Sequence, residues 1–391
     1  MIKDGRCFFE TFVQKDDKIY TTSMESNGLF VLGPDAQARL IALFPLEELC
    51  KHYLFTDSKC YENQIIFAPG SAEHIHIYDT ETGQFETIEF DLETNQKSYN
   101  PLFKCSRIIE TKEYFFFMPN TYPYILRLDK ELKQLKYIEF ELPEQKVLFG
   151  NQYVKHGNDI YMVSRRSPDI LKFNVQNETA EILTFSQDKT GGMSIHMVGE
   201  RLWVTSSTKS EVYEINPFEV SQVQIHKEVP EAFAVREGEL PFACSFIRDE
   251  KLVLVPMGGN LFLEFDCEKK EFAINRDLEF DLQDMNLACM YQNEETVALC
   301  RRPEDLWKSF RNQVFLDIKK MTATEVVFKI QEPEKYGRTL LAGKLESDEI
   351  IKETMLTDIR DFMESAGNRP AFAKKNDMGS SGETIYRYLC N

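Results

Sequence analysis

Two short segments of the sequence combine paired arginines with proline and acidic residues. The first is Ser-Arg-Arg-Ser-Pro-Asp at 164–169, and the second is Arg-Arg-Pro-Glu-Asp at 301–305, which a tryptophan follows closely. A guanidinium group binds a carboxylate or a phosphate through two parallel hydrogen bonds, and an indole ring stacks on a sugar or a base. The segments therefore predict a site for an anionic ligand, with these binding residues: Arg165, Arg166, Arg301, Arg302 and Trp307.

A simpler interpretation of the same segments is that they are solvated turns. Proline fixes the backbone of a turn, and each arginine pair lies close in sequence to a carboxylate, Asp169 or Asp305. Exposed ion pairs of this kind are common and contribute little to stability. The residues alone leave both interpretations open.

The charge balance narrows the choice of partner. The chain has 46 basic and 64 acidic residues and a formal net charge of -18. Such a surface repels nucleic acids and anionic membranes. We therefore expect no nucleic acid and no membrane as partner, and instead a protein partner or a small anionic or sugar ligand.

The other residues that could do chemistry form no recognisable motif. The sequence contains neither a Gly-x-Ser-x-Gly elbow nor a phosphate-binding loop. His74 and His76 lie two apart and share one face of a strand, but no third metal ligand lies near them in sequence. We predict a structural or surface role for them, no metal site and no cofactor, although ligands could also converge from several blades.

The cysteines and the first residues indicate a compartment. The nine cysteines are an odd number without the spacing of a disulfide framework, which favours free thiols in a reducing environment. The segment MIKDGRCFFETFVQKDD has no apolar stretch of signal-peptide length. The sequence therefore predicts a cytoplasmic protein.

The elements that would position the arginines are β-strands. Residues 65–90 contain three apolar or alternating runs, separated by a Pro-Gly turn and by the segment Asp-Thr-Glu-Thr-Gly at 79–83. An aspartate carboxylate can accept the N-H groups of such a turn, and Gly83 can adopt the positive φ that closes it. This pattern is typical of consecutive antiparallel strands.

The same pattern recurs along the chain with a mean spacing of about 47 residues, the size of a four-stranded blade. A fourth strand precedes each set of three. Small residues such as Ser194 and Cys244 on these first strands suit the crowded axis of a ring. We predict an all-β fold, a seven-bladed β-propeller of four-stranded antiparallel blades over residues 1–330. The recurring turns begin at these residues: Gly33, Asp79, Asp129, Asn174, Asn216, Asp266 and Asp317.

In this fold, the turns between second and third strands and the connections between blades lie on one face. Both arginine segments are predicted in such turns, in blades 4 and 7, so that they would flank the channel mouth. The long connection 226–240 could cover that site. After residue 330 the pattern changes, and residues 331–391 predict a C-terminal α-helical extension with helices at 346–366 and 381–389. These helices either pack on the propeller or dock a partner.

The span 1–330 resembles the β-propeller superfamily in its architecture, and YDTETG at 78–83 is similar to the strand-turn of quinoprotein-like propellers. The repeating signatures of WD-repeat, kelch and sialidase propellers are absent, so this resemblance implies no catalytic residues. The ending GETIYRYL at 382–389 resembles the tails of proteins from bacterial cell-surface polysaccharide gene clusters, which implies a place in such a pathway.

Two classes of function follow from these observations. The first is a non-enzymatic binding or scaffold protein that presents one face of the propeller to a ligand or a protein partner. The second is a carbohydrate-active enzyme, a hydrolase or lyase that acts on an acidic sugar at the channel mouth with carboxylates as acid and base. Propellers serve both classes, and the fold does not choose between them.

Overall fold

The computed structural model of the chain describes residues 7–24, 26–33, 35–49, 51–91, 100–142, 147–150, 152–186, 190–278, 280, 286–292, 295–302 and 313–337. The strands form seven four-stranded antiparallel sheets in a ring, and one of these sheets gains a fifth strand. This confirms the predicted seven-bladed β-propeller. In the described part of the chain, no helix is long and apolar enough to cross a membrane.

The first compact unit comprises the described residues within 7–90 and 327–337. It contains blades 1 and 2, and the short strand β29 (Lys329–Ile330) pairs in parallel with the outer strand of blade 1. A short helix follows at 333–337. The strands of its two blades are β1 (Phe9–Lys15), β2 (Lys18–Ser23), β3 (Leu29–Leu32), β4 (Gln37–Ala42), β5 (Phe55–Tyr61), β6 (Gln64–Pro69), β7 (His74–Asp79) and β8 (Phe85–Glu89).

The second compact unit, residues 91–326, contains blades 3 to 7. Blades 3 to 5 consist of β9 (Cys105–Glu110), β10 (Tyr114–Pro119), β11 (Tyr124–Asp129), β12 (Leu135–Glu139), β13 (Val154–His156), β14 (Asp159–Val163), β15 (Asp169–Asn174), β16 (Thr179–Thr184), β17 (Gly192–Val198), β18 (Arg201–Ser206), β19 (Val212–Asn216) and β20 (Glu219–His226). Blades 6 and 7 consist of β21 (Phe242–Arg248), β22 (Lys251–Pro256), β23 (Leu263–Asp266), β24 (Glu271–Ile274), β25 (Asn286–Gln292), β26 (Thr296–Arg302), β27 (Gln313–Asp317) and β28 (Thr322–Val326).

The recurring turn has the predicted chemistry. The Asp79 carboxylate accepts hydrogen bonds from the N-H groups of Glu81 and Thr82 at 3.0 and 2.8 Å, and Gly83 has a φ of 71°. Each such turn joins the third strand of a blade to its outer strand. The side chains that accept backbone N-H groups in the corresponding turns belong to Asp129, Asn174, Asn216, Asp266 and Asp317.

The apolar core lies between neighbouring sheets. Phe116 of blade 3, for example, packs edge-on against Phe173 of blade 4, with ring centroids 5.1 Å apart, and both side chains are fully buried. Aromatic contacts of this kind stabilise a packing that a single sheet cannot provide. Blades 3 and 4 therefore bury these apolar faces against each other.

One predicted strand has different bounds in the structure, and two predicted helices are not tested. The first strand of blade 2 was expected at 51–55, but β5 begins at Phe55 and ends at Tyr61. The helices expected at 346–366 and 381–389 lie outside the described residues.

Candidate functional site

The first arginine pair lies in the turn predicted for it. Residues 164–168 connect β14 to β15, with Arg165 half-buried and Arg166 exposed. The Arg165 N-H donates to the Leu148 carbonyl at 2.8 Å, and the Gly192 N-H donates to the Ser164 carbonyl at 2.8 Å. The turn is thus held between the connection that enters blade 4 and the connection that leaves it.

A buried serine organises this turn from within. The Ser164 hydroxyl accepts hydrogen bonds from the N-H groups of Leu148 at 3.2 Å and Arg166 at 3.3 Å, and it lies 2.9 Å from the Ser167 hydroxyl. These contacts fix the backbone of both arginines. A preorganised backbone lowers the entropic cost of binding a ligand.

Neither Arg165 nor Arg166 has a carboxylate within 4.0 Å among the described residues. Asp169, the partner that the simpler interpretation offers, is buried and accepts a hydrogen bond from the Thr184 hydroxyl at 2.7 Å. The Nε atom of Arg165 is buried and lacks a hydrogen-bond partner in the part of the chain that is described. By contrast, Arg248 contacts Asp277 at 2.9 Å.

The second arginine pair is only partly placed. Arg301 and Arg302 are the last two residues of β26, where their backbones pair with Leu287 and Asn286 of β25. They therefore end a strand instead of lying in the turn itself. Trp307 lies outside the described residues, so the meeting of the two arginine pairs across the mouth stays a prediction.

The long connection after β20 packs on blade 6, and its predicted role as a cover for the anion site stays a prediction. Phe233 stacks on Phe242 with ring centroids 5.8 Å apart, and the Ala234 N-H donates to the Asn260 side chain at 2.8 Å. The connection thus packs on the β22–β23 turn of the blade that it enters, where it meets Gly258 and Gly259 closely.

Polar side chains link the innermost parts of blades 3 to 7. The side-chain amides of Gln152 and Gln292 both donate to the Ser245 carbonyl, at 2.7 and 3.0 Å. The Ser245 hydroxyl lies 2.8 Å from His196 Nε2, and Arg107 donates to the Gln292 carbonyl. Burial lowers the pKa of His196 to about 4, so its imidazole is neutral. Two acceptor atoms of this network, Gln152 Oε1 and Gln292 Oε1, are buried without a hydrogen-bond partner among the described residues. Because unpaired acceptors repel an anion, the face of the turns, where Arg165 and Arg166 lie, is the better candidate surface for an anionic ligand.

The structure also assembles a cluster that the sequence interpretation missed. Glu47, from the connection between β4 and β5, meets His74 and His76 of β7. His74 Nδ1 and His76 Nε2 each lie 3.1 Å from Glu47 Oε1. The side chains of Glu47 and His76 are fully buried, and that of His74 is 15% exposed.

Backbone groups orient the carboxylate of this cluster. The Glu73 N-H lies 2.9 Å from Glu47 Oε1 and 3.0 Å from Oε2, and the His74 N-H lies 3.0 Å from Oε1. Burial raises the pKa of Glu47, but the hydrogen bonds from His76, the Glu73 amide and His74 outweigh it, so the pKa lies below its ordinary value. Burial lowers the pKa of His76 and outweighs the opposite effect of Glu47. An ionised carboxylate beside a neutral imidazole is the protonation state that metal ligands require.

Comparing the seven repeats in the sequence could have identified one member of this cluster. Each blade has a recurring turn residue, Gly33 in blade 1 and Asp or Asn in the others. The third residue before it is buried in every blade, and in blade 2 this residue is His76. The other blades have an apolar or aromatic residue at this position: Phe30, Leu126, Leu171, Tyr213, Leu263 and Val314. Aligning the repeats would have marked His76 as an unusual core residue. Its carboxylate partner, 29 residues away, comes from the connection between two blades.

No protein-family model matches the chain, and no curated protein matches it. Among solved structures, a catalytically inactive variant of virginiamycin B lyase from Staphylococcus aureus, solved with quinupristin, is similar with a TM-score of 0.52 and 13% identity, covering 76% of this chain and 93% of that one. The computationally designed protein Ika8 has a TM-score of 0.51 and 8% identity, covering 82% of this chain and 87% of that one. At these identities the likeness extends to the fold alone.

Proposed function

We propose that the chain is a non-enzymatic binding propeller that takes an anionic ligand at the β14–β15 turn, through Arg165 and Arg166. The observation that carries this proposal is the state of Arg165. Its side chain is half-buried, its Nε atom is buried without a hydrogen-bond partner among the described residues, and no described carboxylate lies within 4.0 Å of it.

A buried guanidinium nitrogen without a partner costs free energy, and a bound oxyanion removes that cost. The net charge of the chain, -18, repels anions at most other places on the surface, so the arginine turn differs from its surroundings in attracting them. The rigid turn around Ser164 supports recognition of a planar carboxylate or of a phosphate. An acidic sugar carries such a group, which agrees with the polysaccharide pathway that the C-terminal sequence implies.

The proposal is tested by titrating tag-free protein with glucuronate and with inorganic phosphate at low salt, using calorimetry. Native mass spectrometry of protein from its own cell detects an acidic partner protein as the alternative source of the anion. We expect Arg165→Gln and Arg166→Gln each to weaken binding by about 10-fold or more, because each removes a charge-assisted hydrogen bond. Arg248→Gln is the matched control, since Arg248 is paired with Asp277.

Binding that is equal in the wild type and in the double variant would contradict the site. The non-enzymatic part has its own test, in which uronic-acid oligosaccharides are incubated with the protein and analysed for cleavage by mass spectrometry. Cleavage that disappears in the double variant would instead support the carbohydrate-active enzyme.

A further inference from the structure

We propose that Glu47, His74 and His76 form a binding site for a divalent first-row transition metal ion, with Zn²⁺ as the expected occupant. The three ligand atoms, one from each side chain, all lie within 4.8 Å of one another. Two imidazoles and one carboxylate are a ligand set that zinc proteins use, with the remaining coordination position open.

The distances fit such an ion. Ligand bonds of roughly 2.0 to 2.1 Å in a tetrahedral arrangement place neighbouring ligand atoms about 3.3 Å apart. Both ring nitrogens lie 3.1 Å from Glu47 Oε1. These two distances need to lengthen by only about 0.2 Å to accept an ion, and the two ring nitrogens already lie within 4.8 Å of each other.

Without an ion, the two carboxylate oxygens of Glu47 have very different numbers of polar neighbours. Glu47 Oε1 has four neighbouring nitrogens, the amides of Glu73 and His74 and the rings of His74 and His76, whereas Oε2 has the Glu73 amide. An ionised carboxylate has about four lone-pair sites over its two oxygens. The two amides occupy part of these sites and orient the carboxylate. With an ion between the three side chains, the two imidazole nitrogens would coordinate the ion. The backbone amides would continue to orient the carboxylate.

The position of His76 in the core also points to a ligand. Its ring packs edge-on against Phe44 and Phe55 at centroid distances of 5.3 and 5.6 Å. The other blades place apolar or aromatic side chains at this position of the repeat. Burying a histidine beside a carboxylate costs desolvation free energy, which a pair of apolar side chains would not cost. A bound metal ion would offset that cost.

Both described side chains that form an ion pair with Glu47 are histidines. Among the described residues, its ion-pair partners are His74 and His76 and include neither lysine nor arginine. Imidazole nitrogen favours zinc and its transition-metal neighbours over Mg²⁺ and Ca²⁺, which prefer all-oxygen sites. The partial exposure of His74 marks the side from which an ion or an exchangeable fourth ligand reaches the site.

The experiment uses tag-free, chelator-treated protein titrated with Zn²⁺ by calorimetry and with Co²⁺ by visible absorption. We expect one ion per chain, and a Co²⁺ spectrum that shows nitrogen and oxygen ligation. His76→Leu installs the kind of residue that other blades carry, and Glu47→Gln keeps the size of the side chain. Each should weaken binding by about 100-fold or more, because removing a direct ligand costs at least as much as removing a residue that only orients one. His156→Gln, on a partly exposed histidine outside the cluster, is the control.

Thermal unfolding separates a metal site from a purely hydrogen-bonded cluster. Zn²⁺ should raise the Tm of the wild type and of His156→Gln, and leave that of His76→Leu unchanged, because an ion stabilises only the protein that binds it. A wild type that binds less than one ion, or a His76→Leu variant that binds as tightly as the wild type, would overturn the proposal. Should a variant of a fully buried ligand fail to fold, His74→Ala, at the partly exposed edge of the cluster, decides by the same two measurements.

Discussion

Glu10 shows how a single buried group sets the pH response of the protein. The residue lies in β1 with 7% of its surface exposed, at the point where the pairing of β1 with β2 shifts between Phe9 and Thr11. Burial raises the pKa of its carboxyl group to about 8. Its Oε2 atom has no hydrogen-bond partner among the described residues. The native protein therefore holds this group in the neutral form at pH 7.

This arrangement predicts that stability falls as pH rises. The unfolded chain releases the Glu10 proton near its ordinary pKa of 4.5, whereas the folded chain keeps it to about pH 8. Between these values the unfolded state binds fewer protons, which costs the folded state roughly 4 kcal/mol by pH 8. We expect Glu10→Gln to unfold at the same urea concentration as the wild type at pH 4.5, and to be more stable at pH 8 by roughly 2 to 4 kcal/mol.

The control for this measurement is Glu81→Gln, on an exposed turn residue. It should follow the wild-type dependence of unfolding free energy on pH. Parallel curves for the wild type and Glu10→Gln would show that the Glu10 carboxyl group is ionised in the folded protein.

Residue patterns predicted the turns well and the buried polar cluster poorly, for a physical reason. The Asp79 turn depends on neighbours within four residues, so its chemistry is written locally in the sequence. The contact between Glu47 and His74 joins residues 27 apart and depends on how the connection between two blades folds back. Local spacing could therefore place Arg165 and Arg166 in a turn, but could not bring Glu47 to the two histidines.

At the scale of elements, the predicted strands follow apolar alternation, and the prediction was wrong where that alternation is missing. β5 has the sequence FTDSKCY, in which Thr56, Asp57 and Ser58 are buried although polar. Innermost strands lie beside the axis, where polar side chains can bond to one another, as those of His196 and Ser245 do in the second unit. The apolar segment that ends at Phe55 was therefore mistaken for the strand.

At Gly191, the connection that follows blade 4 comes very close to the backbone of the β14–β15 turn. A Cβ atom there would lie 2.5 Å from the carbonyl carbon and oxygen of Arg165 and 2.6 Å from the carbonyl oxygen of Ser164. Because these are backbone atoms of the β14–β15 turn, they can move only if the turn moves. We expect Gly191→Ala to lower the free energy of unfolding by roughly 1 to 3 kcal/mol, as overpacking does, and to weaken anion binding at Arg165.

Gly150→Ala is the matched control, because its Cβ atom would lie 3.4 Å from Arg165 Nε, an ordinary contact with a flexible side chain. Urea denaturation compares the two variants. The phosphate titration compares Gly191→Ala with the wild type, because the added methyl group of Gly150→Ala would touch Arg165 Nε itself. Equal stability of Gly191→Ala and Gly150→Ala would mean that the turn is not confined by the connection that follows blade 4.

At the scale of the whole molecule, the segment after β28 returns to blade 1 and covers its outer edge. β29 pairs Lys329 with Gln37 and Ile330 with Ala38 of β4. The Phe328 ring lies 5.4 Å from that of Phe9. An uncovered outer strand would expose unpaired backbone groups and invite pairing with other chains. This segment therefore completes blade 1, although it is far from it in sequence.

Tyr336, farther along the same segment, also packs on blade 1. Its hydroxyl group lies 2.5 Å from the Ser26 hydroxyl and donates to the Asn27 carbonyl at 3.0 Å, and its ring packs edge-on against Phe30. The side chain is 2% exposed. Residues 327–337 thus contribute both apolar burial and buried hydrogen bonds to blade 1.

Two truncations measure this contribution. A chain ending at residue 337 keeps every contact described for the segment, and a chain ending at residue 326 loses all of them. Burying Phe328, Ile330 and Tyr336 is worth about 1.5 to 3 kcal/mol each before ordering costs. We therefore expect the shorter chain to be less stable than the longer one by at least about 3 kcal/mol in urea denaturation, and to self-associate through the exposed edge of β4. Tyr336→Phe in the full chain, which removes only the hydroxyl group, should cost about 1 kcal/mol. Equal unfolding midpoints for the two truncations would show that blade 1 is complete without the returning segment, and that β29 adds nothing to the closure of the sheet.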